Sequence, residues 1–241
     1  MAADGRMRLV LWDIDHTLIE SRGMGRSVYA RVFPEVTGQS LRELAPVHGR
    51  TELDIMHDTL RLHEIEPTER ITTRLAAALA EGFRAAVGEL AERGTVLPGV
   101  WQALDALAAE PDMHQSVLSG NTADVARTKL EAFGLERYLD LPAGAYGDDH
   151  RERAELVTIA RDRVARQFGT TVPAERIVLI GDTPHDVDVA LSAGTHIVAV
   201  ATGEYSVDDL RAAGAESPLE DLTSLSRLRR ALNGDTGGHI R

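Results

Sequence analysis

Four short apolar runs constrain this chain more than any other feature: residues 9–12 (LVLW), 116–118 (SVL), 177–180 (IVLI) and 197–200 (IVAV). Each is too short for a buried helix, stops at polar or glycine-rich residues, and in most cases leads into a helical pattern. Apolar runs of this length alternating with helices are the pattern of a doubly wound α/β fold, a parallel sheet covered on both faces. Residues 139–146 are a weaker fifth strand candidate. Among the helices, Leu156, Ala160, Val164 and Phe168 form one stripe, and Leu222, Leu225, Leu228 and Leu232 another. Asn121, with Asp124 three residues on, reads as a helix N-cap, and Ser206 with Asp209 as a second.

The alternation breaks between residues 21 and 93. No strand-like run occurs there. Ile71, Leu75, Leu79, Phe83 and Val87 trace one long helical face, and Leu53, Met56 and Leu60 a shorter one. The expected organisation is a core formed by 1–20 and 94–233, a helical cap inserted at 21–93, and a frayed tail at 234–241. Leu97-Pro98-Gly99 marks the return to the core.

The 241 residues carry 26 Lys+Arg against 38 Asp+Glu, a formal charge of −12. That balance argues against nucleic acid or an anionic membrane surface as partner. No run approaches the ~18–20 apolar residues of a membrane span, and no signal-like apolar stretch opens the sequence. The absence of cysteine excludes disulfides and thiolate metal sites and fits a reducing cytoplasm. A monomer or a homodimer both fit.

The chemistry gathers at strand ends. Residues 9–12 run into Asp13-Ile14-Asp15-His16-Thr17, and 177–180 into Gly181-Asp182-Thr183-Pro184-His185-Asp186. Ligands of open α/β sheets bind outside the carboxyl ends of the strands, so two carboxylate pairs converge there. Four acids in one crevice call for a cation, and oxygen-only ligation suits Mg²⁺. A third strand end carries Ser119-Gly120-Asn121, whose hydroxyl, freed backbone and following helix start make an anion cradle. Each cluster alone is bland, since Asp and Gly are common in turns; together they are the equipment for phosphoryl transfer.

With these residues in place the chain resembles the haloacid dehalogenase-like (HAD) hydrolase superfamily. Asp13-Ile14-Asp15-His16-Thr17 matches its DxDxT signature, with His16 where glycine is usual. Ser119 matches its Ser/Thr motif, and Asp182 with Asp186 its GDxxxD motif. Arg153 or Arg151 stands for the basic third motif. The cap position resembles the phosphoglycolate phosphatase and β-phosphoglucomutase branch, and His48-Gly49-Arg50-Thr51 its substrate-contacting cap loop. The resemblance implies Asp13 as nucleophile and Asp15 as acid and base, with an Asp15 pKa above that of a free Asp. It implies Mg²⁺ held among Asp13, Asp15, Asp182 and Asp186, with Asp186 fixing the loop or a metal-bound water. Ser119, Gly120, Asn121, Arg153 and Arg50 would bind a small phosphorylated substrate. Helical phase favours Arg153 over Arg151, because positions 153, 156, 160 and 164 share one stripe while 151 falls with Glu155, Thr158 and Asp162 on a solvated face.

The resulting expectation is a Mg²⁺-dependent phosphatase of a small metabolite, with a phosphomutase as the alternative. A dehalogenase would lack the second Asp. A phosphonate hydrolase would want a Schiff-base lysine in the cap, whereas the sole lysine, Lys129, follows Asn121. A non-catalytic binding module should have lost one of the motif groups, and all are present.

Overall fold

A computed structural model describes residues 7–234, so residues 235–241 of the expected tail and residues 1–6 lie outside the described residues. Four parallel strands form the main sheet in the order β4-β1-β5-β6: β1 (Arg8–Trp12), β4 (Met113–Val117), β5 (Ile177–Gly181) and β6 (His196–Ala199). The register pairs Leu11 of β1 with Ser116 and Leu179, and Trp12 with Val117 and Ile180. The two-residue period of the strands divides the core in two. Val10, Trp12, Val178 and Ile180 face one way, against α5 (Val100–Ala108), α6 (Ala123–Ala132) and α10 (Leu225–Leu232). Leu9, Leu11, Ile177 and Leu179 face the other, against α7 (Glu155–Phe168) and α8 (Pro184–Ser192). The chain is a doubly wound α/β protein.

The chain leaves this core through β2 (Ile19–Glu20) and returns through β3 (Thr95–Val96), which pair antiparallel. Between them run α1 (Met24–Thr37), α2 (Glu52–Leu62), α3 (Glu69–Ala85) and α4 (Val87–Arg93). These helices bury their own apolar cluster, including Val28, Phe33, Met56, Leu75, Leu79 and Phe83. The helical face read from 71 to 87 breaks at Ala86, and Val87 is exposed.

Two local expectations are corrected. Residues 139–146 form no strand: a 3₁₀ turn at Leu141–Ala143 contains Pro142, and Asp140 accepts from the Ala143 amide (3.3 Å), leaving one parallel bridge between Ala145 and Leu118. Asn121 is not the cap of α6. Thr122 takes that position, with its hydroxyl facing the Val125 amide at 3.5 Å, and the Asn121 side chain turns into the site. The capping box of Ser206 and Asp209 is present, at the start of α9 (Val207–Ala212). No helix among the described residues is long and apolar enough to cross a membrane.

Candidate active site

β1 continues one step past Trp12, where the Asp13 amide donates to the Ile180 carbonyl (2.9 Å) and delivers the Asp13 side chain to the C-terminal edge of the sheet. β5 delivers Asp182 and the N-terminus of α8 delivers Asp186 to the same point. One carboxylate oxygen from each of the three lies within 4.8 Å of the others, and all three residues are buried. Among the described residues the cation paired with them is Arg153, 4 % exposed, whose Nη2 reaches Asp13 (3.0 Å) and Asp186 (2.8 Å). Three acids and one arginine leave the cluster two charges negative. At an effective dielectric of ~20, two like charges ~4 Å apart repel by about 4 kcal/mol. The deficit shows in the acids. Burial and the charges of Asp13 and Asp186 push the Asp182 carboxyl up to about 8. Burial also pushes Asp13 up to about 6, against the pull of Arg153.

The set fits a hard divalent cation: it is buried, all-oxygen and short of positive charge. Asp182 has room only because Gly203 stands beside it, since a Cβ there would fall 2.0 Å from Asp182 Oδ2. Asp186 is already engaged. Its Oδ2 accepts from Thr183 N and Oγ1 in a capping box, and its Oδ1 from Arg153 Nε and Nη2.

Ser119, at the end of β4, is fully buried. Its Oγ accepts from Asn121 N (3.3 Å) and Nδ2 (2.9 Å), and its own proton has no acceptor among the described residues. Gly120 admits close neighbours: a Cβ there would meet the Arg50 carbonyl at 2.1 Å and Arg153 Nη1 at 3.0 Å. A free hydroxyl proton and a guanidinium edge thus line the same cavity as Asp13.

Asp15 faces a different partner. Lys129 Nζ binds both of its oxygens (2.8 and 2.6 Å), and Asn121 Nδ2 binds one (2.7 Å). Burial alone would raise the Asp15 pKa, but Lys129 and the hydrogen bonds from Asn121 and Lys129 bring it below the usual carboxylate range. The expectation of a raised Asp15 pKa is therefore corrected. Lys129 is 4 % exposed and also binds Asn121 Oδ1 (2.8 Å). Sequence reading left it out of the site because it lies seven residues into the following helix. One signal was available: it is the single lysine among 26 basic residues, and a compact ammonium is not interchangeable with a guanidinium.

Two arginines sit elsewhere than expected. Arg50 turns its guanidinium to Asp54 (Nε–Oδ2 2.7 Å) and Asp58 (Nη2–Oδ2 2.6 Å), so its carbonyl rather than its charge approaches the Ser119 turn. Arg151 stays partly exposed but is engaged with the cap. It pairs with Asp54 (2.5 Å), and its carbonyl accepts from Thr51 Oγ1 (2.6 Å). His16 takes a left-handed backbone (φ 61°), the conformation in which the glycine usual at this signature position costs least.

The strand ends of this parallel sheet gather Asp13, a second acid two residues on, the Ser119 turn and a Gly-Asp pair, the equipment of a phosphoryl-transfer site. The chain belongs to the haloacid dehalogenase-like hydrolase family, whose model matches residues 10–191. It is 33 % identical over 140 residues to the "Probable phosphatase IndB" of Dickeya dadantii, a match covering 58 % of each chain. It is 26 % identical over 234 residues to the "Tyrosine-protein kinase PtkA" of Mycobacterium tuberculosis, covering 93 % of this chain and 72 % of that one. Among solved structures, CbbY of Rhodobacter sphaeroides, crystallised with xylulose-(1,5)bisphosphate, superposes with a TM-score of 0.68 at 19 % identity, covering 92 % of this chain and 99 % of that one. A "predicted phosphatase" of Clostridium acetobutylicum gives 0.66 at 20 % identity, over 95 % and 99 %.

Proposed function

We propose that this protein is a Mg²⁺-dependent phosphatase of small phosphorylated metabolites that works through an aspartyl-phosphate. The observation that carries the reading is the pairing of Asp13 with Arg153 inside a buried, cation-short carboxylate cluster. Asp13 attacks phosphorus in line; its Oδ–P bond forms as the bond to the leaving oxygen breaks. Asp15 receives the proton that a substrate arriving as the phosphate monoanion brings and passes it to the leaving oxygen, then takes one from the water that attacks the aspartyl-phosphate and releases inorganic phosphate. Held by Lys129 and Asn121, Asp15 stands in the ionised form that the second half needs. The free Ser119 hydroxyl and Arg153 hold the non-reacting phosphoryl oxygens. Asp13, Asp182 and the Asp15 backbone carbonyl would hold Mg²⁺, which supplies charge neutralisation between nucleophile and phosphate. Asp186 anchors Arg153 and the Thr183 turn instead.

Residues 1–20 and 94–233 then act as the catalytic core and 21–93 as a cap over it. The separate apolar cluster of α1–α4 and the two-strand stalk of β2 and β3 support that division. The reading includes a cytoplasmic location, consistent with a chain free of cysteine. Its test is release of phosphate from p-nitrophenyl phosphate: turnover should disappear in EDTA and return with Mg²⁺. Full activity in metal-free buffer would contradict it, and transfer of the phosphoryl group to a second sugar hydroxyl rather than to water would make the protein a mutase.

A further inference from the structure

The carboxylate cluster opens into a cavity of about 520 Å³ walled on its far side by α1, α2 and α3. Glu52, the first residue of α2, is carried into that cavity by backbone contacts to the core. Its amide donates to the Gly120 carbonyl (2.7 Å), and the next amide, Leu53, to Gly147 (3.0 Å). These bonds fix Glu52 beside the Ser119-Gly120-Asn121 turn, within reach of the charges of Asp15 and Lys129. One oxygen of its carboxylate accepts from the buried Tyr29 hydroxyl. The other takes no donor among the described residues, and the residue is only half-buried, so it faces the cavity.

Most of the surrounding charges are already paired. Lys129 is committed to Asp15, His16 to Glu20 (2.8 Å), and His48 approaches Glu204 (3.5 Å). Arg26 is exposed at the mouth, one turn before Tyr29, where solvent and salt screen it. Inside the cavity the unpaired group on the leaving-group side is thus an acceptor. A first-turn acid at a helix N-terminus has an ordinary structural role. That role does not explain why an oxygen is left open to the cavity rather than to bulk solvent.

We infer that Glu52 selects the leaving group: the site takes phosphate monoesters of neutral, hydroxyl-bearing alcohols and turns away esters that carry a second phosphate or a carboxylate. The inference rests on the phosphatase reading for the phosphate end of the cavity. A hydroxyl can donate to the open Glu52 oxygen, whereas a second anion meets an acceptor it cannot pair with, the repulsive element that discrimination requires.

Two matched pairs of esters test it: fructose 6-phosphate against fructose 1,6-bisphosphate, and glycerol 3-phosphate against 3-phosphoglycerate. Their Kd values are measured by calorimetry with Mg²⁺ on the Asp13→Asn protein, which removes turnover, and their kcat/KM on the unmodified chain. The first member of each pair should win by at least ~10-fold. Adding Glu52→Gln should erase most of that preference, and adding Tyr29→Phe should keep it, because the charge stays. Equal or tighter binding of the anionic members, or a preference that survives Glu52→Gln, overturns the inference. If Glu52→Gln does not fold, Glu52→Asp takes its place: the preference should persist, and its loss counts against the role of charge. Should the unmodified chain release no phosphate from any ester, the phosphatase reading falls, while the binding ratios still decide the role of Glu52.

Discussion

Arg151 and Arg153 are two residues apart and point to opposite jobs. Arg153 is buried against Asp13 and Asp186, which together hold it charged against the cost of burial. Arg151 is partly exposed and bridges to Asp54 of α2. Removing Arg153 strips a donor from the phosphoryl oxygens and leaves Asp186 without its cation. Arg153→Ala should cut kcat/KM by on the order of 10²-fold or more, the scale of one lost transition-state donor. Arg151→Ala loses a pair worth about 0.2–1 kcal/mol and should change kcat/KM by less than ~10-fold. Steady-state kinetics of the two variants decide it, and the reverse ranking would move the clamp to Arg151. Helical phase turns Arg153 toward the sheet, and it is buried there although α7 starts only at Glu155 and Arg153 lies in the turn before it. Glu52 was not legible, and Lys129 only in being the sole lysine, because their roles depend on which surfaces of two separate elements meet.

That meeting depends on the contact between α2 and the strand-end loops. The Glu52 and Leu53 amides dock on Gly120 and Gly147, and a side chain at Gly147 would place its Cβ 1.7 Å from the Gly120 carbonyl and 2.6 Å from the Glu52 amide. No rotation relieves a clash with backbone on both sides. Gly147→Ala should therefore lift α2 off the core, lowering kcat/KM by ~10-fold or more while β1, β4 and β5 keep their pairing. Circular dichroism alongside kinetics checks this, and unchanged kcat/KM would show that the seam is not needed. Neither strand alternation nor helix periodicity marks Gly147, since a close approach of two backbones leaves no pattern in either segment. The elements that pattern does mark, β1, β4, β5 and β6, all formed. The segment 139–146 misled because its apolar residues pack from 3₁₀ turns rather than from a strand.

At the scale of the whole molecule, the acid cluster links stability to pH and metal. The Asp13 and Asp182 carboxyls, at about 6 and about 8, lie above the ~3.9 of a free Asp. Above roughly pH 4 the unfolded chain has lost these protons while the folded chain holds that of Asp13 to about pH 6 and that of Asp182 to about pH 8. The folded state binds more protons there, so the cluster's contribution to stability falls as pH rises and levels off above about pH 8. Asp15, held low by Lys129, acts in the opposite sense but only below that window. Divalent metal competes with the protons, so the rise in Tm on adding Mg²⁺ should be larger at pH 8 than at pH 5. Thermal unfolding with EDTA or Mg²⁺ measures it, and equal increments at both pH values would mean that these acids do not hold the ion. The central claim is that Asp13 carries the phosphoryl group. Its most direct test is peptide mass spectrometry after acid quench of the enzyme turning over substrate with Mg²⁺. One phosphoryl increment on the peptide containing Asp13, absent in Asp13→Asn, is the predicted result; continued substrate hydrolysis by Asp13→Asn, with no phosphorylated peptide in either protein, would contradict it.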